Sequence, residues 1–223
     1  MQNRQQFARH RWRFLATVLA CTTLAVAVSS NGLRAQAPSV DIYHIEEDWQ
    51  LVVSDPDINE NGPQVTCTIS PSDMSSAYCA FDLNFHTQPD YLAGGMQLHT
   101  WDPLDPIQFA NSTHKNLMSI SNETVTWTTR MSLYGDNLYF KILNGQSQTW
   151  GSFGGTSDNL RLSLPTSLAT LNAYSPEVSL ENSGVSFASN LVVSQTLMAV
   201  RYYDANNNLV LQITTPQVVH PQQ

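Results

Sequence analysis

The sequence predicts an all-β fold, an antiparallel two-sheet β-sandwich or jelly roll. Short runs in which apolar and polar residues alternate recur along the chain, which is the period of a strand with one buried face. Turn residues separate these runs at fairly regular spacing, giving about a dozen strands. No segment carries sustained helical periodicity with caps. Residues 123–155 set the pattern. Val125, Trp127, Met131 and Leu133 share one parity, and Thr124, Thr126, Thr128, Arg130 and Ser132 the other. Gly135-Asp136 then supplies a turn with glycine first, as a type II′ hairpin requires. Leu138, Phe140 and Ile142 alternate on the return. Pairing Leu133 with Leu138 sets Met131 against Phe140, so the two apolar faces coincide.

The chain opens with a segment that does not belong to this pattern. Arg4, Arg9, Arg11 and Arg13 make a basic start, residues 14–28 an apolar run, and Ala35-Gln36-Ala37 offers the small residues of a cleavage site. The expectation is a signal peptide over 1–35 with cleavage after Ala35 or Ala37, a single β-sandwich domain over 38–215, and a disordered Pro/Gln-rich tail at 216–223. The apolar run is short for a bilayer span of about 20 residues. Membrane attachment is therefore expected only through an uncleaved leader, and the protein is expected to be secreted or extracytoplasmic. Five of the ten basic residues (Arg4, Arg9, Arg11, Arg13 and Arg34) lie in this segment, and without them the formal net charge passes from −8 to −13. So acidic a domain repels phosphate backbones, which argues against a nucleic-acid partner.

Residues 42–45 and 49–53 read as short strands joined by a solvated turn at Glu46-Glu47-Asp48. Next, Asp55, Asp57, Asn59 and Asn61 stand at alternate positions before Gly62. Oxygen ligands so placed resemble the start of a Ca2+ loop, yet the twelfth position from Asp57 is Thr68 and not a bidentate Glu. The same residue types also make ordinary turns. Residues 64–70 and 78–87 read as a second hairpin. Setting Ser70 against Ser76 brings Cys67 opposite Cys79, and opposed strand positions lie about 4.5–5.5 Å apart, within disulfide reach. These are the two cysteines beyond the export segment, in a compartment expected to be oxidising, so a Cys67–Cys79 disulfide is expected.

Further along, residues 96–101 alternate, with Gln97, His99 and Trp101 on one parity. Residues 102–106 read as a Pro-rich break, 111–115 as polar loop and 116–121 as a short strand. After the central hairpin, Asn144-Gly145 reads as a tight turn and 146–150 as a brief strand. Residues 159–164, 168–174, 177–180 and 184–187 continue the strands, and 196–203 returns through a turn as 209–214.

From Phe81 onward, the runs FDLNFHTQPDYLAGGMQLHTW, ETVTWTTRMSLYGDNLYFKILNGQSQTWGSFGG and YSPEVSLENSGVSFASNLVVSQTLMAVRYYDANNN resemble a group of exported bacterial proteins of the planctomycete type. That group carries no assigned activity, so the resemblance transfers no functional residue. The Leu138-to-Gly145 strand and the Val200-to-Tyr203 strand are also similar to strands of concanavalin A-like (laminin G-like) jelly rolls, which implies the same sandwich class.

Hydrolysis on such a fold would need paired carboxylates flanking a cleft. No E-x-D-x-x-E string occurs, nor G-x-S-x-G, H-E-x-x-H or a phosphate loop. A binding face is the alternative. On the outward parity of the central hairpin, Arg130 falls opposite Lys141, with Tyr139 nearby. Like charges directly across a sheet are unfavourable, so the pair implies either neutralising acids, such as Glu123 or Asp82, or a shallow polar platform for a ligand. Tyr139 would stack on a ring, Arg130 and Lys141 would meet acidic or hydroxyl groups, and Trp101 and Trp150 would add stacking surface if they share that face. The sequence therefore leads to the expectation of a secreted, non-catalytic module that binds carbohydrate or a cell-surface or matrix component, with no catalytic residue and no obligate cofactor. A glycan-active hydrolase and a structural envelope or matrix protein stand as alternatives.

Overall fold

A computed structural model describes residues 40–55, 62–85, 94–102, 104–118, 120–156 and 158–221. Among them the strands are, in order, β1 (His44–Val53), β2 (Gln64–Ile69), β3 (Tyr78–Leu83), β4 (Met96–Asp102), β5 (Asp105–Asn111), β6 (Thr124–Tyr134), β7 (Asn137–Ser147), β8 (Gly151–Phe153), β9 (Arg161–Pro165), β10 (Gly184–Phe187), β11 (Val192–Tyr203), β12 (Leu209–Ile213) and β13 (Gln217–His220), with one short helix α1 (Pro176–Glu181). They build two antiparallel sheets. The eight-stranded sheet runs β12–β11–β1–β6–β7–β8, with β13 also on β11 and β9 also on β7; the five-stranded sheet runs β10–β2–β3–β4–β5. The all-β two-sheet sandwich is thus the fold.

The core lies between the sheets. Trp49 of β1 stacks on Trp127 of β6 at 6.4 Å, and Phe81 of β3 meets Trp127 edge-on at 5.7 Å. Ile45, Leu51, Val125, Met131, Phe140 and Ile142 complete the eight-stranded side, and Val65, Leu83, Met96 and Leu98 the five-stranded side, all buried. Truncating any of the large aromatic side chains here costs about 3–5 kcal/mol.

The central hairpin has the expected register. Leu133 pairs with Leu138, Met131 with Phe140 and Arg130 with Lys141, and Gly135 takes the positive φ, +54°, that the first turn position requires. Asn144-Gly145, however, is not a turn. β7 continues through it, and the register steps from Thr128–Leu143 to Thr126–Gln146, which makes a bulge with Asn144 at φ +54°. Gly145 is required there, because a Cβ would sit 2.3 Å from the Phe153 ring.

Several other expectations are corrected. Glu46-Glu47-Asp48 is no turn; it lies inside the single ten-residue strand β1. Charged residues are tolerated there because Glu46 and Asp48 face outward toward arginines, while the buried Glu47 accepts hydrogen bonds from Trp49 Nε1 (3.0 Å), the Tyr174 hydroxyl (2.6 Å) and the Ser179 hydroxyl (2.5 Å). Residues 177–180 are helix, not strand. Ser175 caps α1, its side chain accepting from the Glu177 N–H, and Pro176 follows at the first turn. β5 begins inside the expected 102–106 break and ends at Asn111, the first residue of the expected loop. Within the tail expected to be disordered, Gln217–His220 pairs with β11. The reason is an open edge: on the side away from β1, β12 covers Val200 to Tyr203 and leaves Gln195 to Leu197 unpaired until β13 arrives.

The Cys67–Cys79 disulfide is absent, and both thiols are free and buried. The β2–β3 register is two residues from the expected one, so Cys67 pairs with Phe81 and Cys79 with Ile69. The cysteines remain on one face but become diagonal neighbours, about 7–8 Å apart, beyond unstrained disulfide geometry. Burial raises both thiol pKa values well above the usual range, and Gln195 Nε2 donates to Cys67 Sγ at 3.0 Å. The leader expected over residues 1–35 lies outside the described residues.

Candidate functional site

The outward face of the eight-stranded sheet concentrates the positive charge of the domain. Strand registers align Arg201 (β11), Glu46 (β1), Arg130 (β6), Lys141 (β7) and Arg161 (β9) as successive cross-strand neighbours. Four of the five basic residues beyond position 35 therefore stand in one row, Lys115 being the fifth. A second row runs beside it through Tyr203, His44, Ser132, Tyr139 and Ser163.

The first half of the row is internally satisfied. Arg201 Nη1 and Nη2 donate to the two Asp48 carboxylate oxygens at 2.5 and 2.7 Å, and its Nε donates to Glu46 at 3.1 Å. This is a bidentate charge-assisted pair. Arg130 lies 3.5 Å from Glu46, donates to Ser132 Oγ (3.1 Å) and to Asn207 Oδ1 (2.6 Å), and places its guanidinium 6.0 Å from the Tyr203 ring. The acids that neutralise it come from β1. Glu123 and Asp82 play no part in this. Glu123 is buried and holds the 147–149 turn through Ser147 and Thr149, and Asp82 belongs to the other sheet. Beside this half, His44 is buried under Tyr134 (4.8 Å), with neither ring nitrogen hydrogen-bonded among the described residues. Burial lowers its pKa.

The second half is open. Lys141 and Arg161 are exposed and make no ion pair or side-chain hydrogen bond among the described residues. They border a cleft of about 420 Å³ lined by Gln108, Tyr139, Lys141, Arg161, Leu162 and Ser163. Each strand contributes by register: Tyr139 and Lys141 from β7, and Ser163 and Arg161 opposite them on β9. Gln108 comes from β5, where the five-stranded sheet approaches β9. Tyr139 is braced by an edge-on contact with Tyr134 at 5.9 Å. The cleft thus offers one ring, two cations, a hydroxyl and an amide, and none of its described lining residues is a carboxylate. A larger hollow of about 600 Å³, between α1 and β13, is lined by Leu180, Glu181, Ser183 and residues 216–219 and brings together no comparable set of groups.

Of the residues expected in the platform, Tyr139 and Lys141 meet in the cleft, and Arg130 adjoins it but is engaged by Glu46 and Asn207. Trp150 is corrected to a core residue. It is 4 % exposed, its indole N–H donates to the Asn116 carbonyl, and its ring meets Phe153. Trp101 lies on the outward face of the other sheet, stacked on Tyr78 at 6.4 Å with 9° between the planes. Around it stand His99, Phe85 and the exposed Phe109. Beneath them Asp82 accepts from Thr66 Oγ1 at 2.5 Å and lies 3.8 Å from His99 Nδ1. Burial pushes the Asp82 carboxyl up to about 6 and the His99 imidazole down. That distance is too long for a hydrogen bond. Of the Ca2+ candidates, Asp57, Asn59 and Asn61 fall outside the described residues, and Asp55 accepts from Ser121 Oγ. No group of three metal-ligating side chains occurs among the described residues.

Arg161, Ser163 and Gln108 were not legible as site residues. β9 reaches β7 across an intervening strand and loop, and no short turn fixes that pairing in the sequence. Comparison with known proteins adds no identity: neither a protein-family model nor a curated protein matches the chain.

Proposed function

We propose that the chain is an exported, non-catalytic β-sandwich module that binds carbohydrate on a cell surface or in a matrix, through the cleft beside β9. The observation that carries this reading is the convergence of Tyr139, Lys141, Arg161, Ser163 and Gln108 in one hollow of about 420 Å³. A partly exposed ring flanked by hydroxyl, amide and cationic donors can stack on a sugar and hydrogen-bond its substituents. A lining whose described residues include no carboxylate favours binding over glycoside hydrolysis, which needs two of them about 5–10 Å apart. A glycan array probed with wild type and Tyr139→Ala tests the reading. Signals on defined glycans that fall about tenfold or more in the variant support it; no signal, or one indifferent to the substitution, overturns it.

One observation favours a second reading, a structural protein that assembles through an apolar edge. Leu104, Ile107 and Phe109, in and beside the edge strand β5, are 86 %, 45 % and 68 % exposed. Concentration-dependent association in sedimentation, abolished by Phe109→Lys, would favour this alternative.

A further inference from the structure

We propose that the cleft beside β9 selects an anionic glycan, with Lys141 and Arg161 holding a carboxylate or sulfate substituent of a sugar stacked on Tyr139. This rests on the reading of the cleft as a glycan site and names the class of glycan. Arg130, Lys141 and Arg161 are consecutive cross-strand neighbours on one face. Like charges so placed oppose sheet formation. The protein relieves Arg130 with Glu46 and Asn207 but gives Lys141, which stands between two guanidinium groups, no acid among the described residues. The chain is not short of acids, since eighteen lie beyond the leader. β1 supplies two of them to the first half of the row, while β5, β7 and β9 offer the cleft only the neutral Gln108, Tyr139, Leu162 and Ser163 beside the two cations.

An anion on the ligand would supply the charge that the fold does not. The planar fork of Arg161 suits a two-oxygen contact with a carboxylate or sulfate, and Lys141 adds a compact charge from the neighbouring strand. Ser163, Gln108 and the Tyr139 hydroxyl are left for the sugar's neutral groups. The surrounding domain is strongly acidic, so attraction is confined to the cleft, within roughly the 8 Å over which charge acts at physiological salt.

The test is calorimetric titration of the whole chain with three sugar probes of equal length, a neutral oligosaccharide, an oligogalacturonate and a sulfated oligosaccharide, and with polyglutamate as a non-sugar polyanion. Wild type is compared with Lys141→Gln, Arg161→Gln and, as a control outside the row, Lys115→Gln. The expected result is at least about tenfold preference for an acidic probe over the neutral one. Lys141→Gln and Arg161→Gln should each remove about tenfold of that affinity, and Lys115→Gln should leave it unchanged. Whichever acidic probe binds more tightly identifies the anion, carboxylate or sulfate. Equal binding of neutral and acidic probes would overturn the inference and leave the glycan reading standing. No binding of any probe would overturn both. Equal losses in all three variants, or equally tight binding of polyglutamate, would reveal only unspecific charge attraction and overturn the inference.

Discussion

The two ends of the cation row use the same chemistry differently. Toward β11, Arg201 and Arg130 are locked to Glu46, Asp48 and Asn207. Toward β9, Lys141 and Arg161 stand opposite each other with no acid between them. All four are basic side chains on one face of one sheet, so neither residue type nor sheet face alone tells a structural cation from an available one; the locked pair is half-buried and the open pair exposed. The difference is β1. It lies between β11 and β6 and presents acids at alternate positions, whereas β7 and β9 present none outward beside Lys141 and Arg161. Its third acid, Glu47, points the other way, into the core, where it meets neutral donors only.

That inward acid should give the largest measurable effect. Burial raises the Glu47 carboxyl from 4.5 to about 7. A raised folded-state pKa on an acid means that the folded protein holds the proton where the unfolded chain has lost it. Stability is therefore undiminished below about pH 4.5, falls as pH rises from there to about 7, and levels off above, by up to about 3 kcal/mol at about 1.4 kcal/mol per unit. In Glu47→Gln this part of the slope should vanish from urea unfolding midpoints taken between pH 4.5 and 8. A smaller decline from Asp82, raised to about 6, should remain. So should the opposing contribution of His44 and His99, whose lowered pKa values favour the folded state as pH rises. Identical slopes in wild type and variant would mean that Glu47 is not held as the structure has it.

A smaller effect separates the two ends of the row. Arg201→Ala strips the bidentate partner from Asp48 and the nearer cation from Glu46, and because these groups are partly solvated the loss should be about 1–2 kcal/mol. Lys141→Ala and Arg161→Ala should leave stability within about 0.5 kcal/mol, or raise it slightly by relieving repulsion. Denaturant unfolding of the three variants side by side measures this. If Lys141→Ala costs as much as Arg201→Ala, the open half is structural after all.

The central hairpin was legible because a tight turn fixes register and two alternating faces had to coincide; Arg130 opposite Lys141 followed directly. β1 was misread because three consecutive acids look solvated until their partners are known, and those partners, Arg130, Arg201, Tyr174 and Ser179, lie far away in sequence. The β2–β3 hairpin shows the same limit: its apolar parity was right, but the longer connection left the register free by two residues, and that step separates Cys67 from Cys79. Trp101 and Trp150 could be assigned to a strand or turn but not to a face of a particular sheet. The cleft was half visible, since Tyr139 and Lys141 sit in the legible hairpin while Arg161, Ser163 and Gln108 arrive by long-range pairing.

The most direct test of the division is residue-specific NMR of the isotope-labelled protein, titrated with an oligogalacturonate. Amide shifts that change with ligand are predicted at Tyr139, Lys141, Arg161 and Ser163, with Glu46, Asp48 and Arg201 unmoved. Perturbations centred instead on Tyr78, His99 and Trp101 would place the ligand on the five-stranded face and contradict the account.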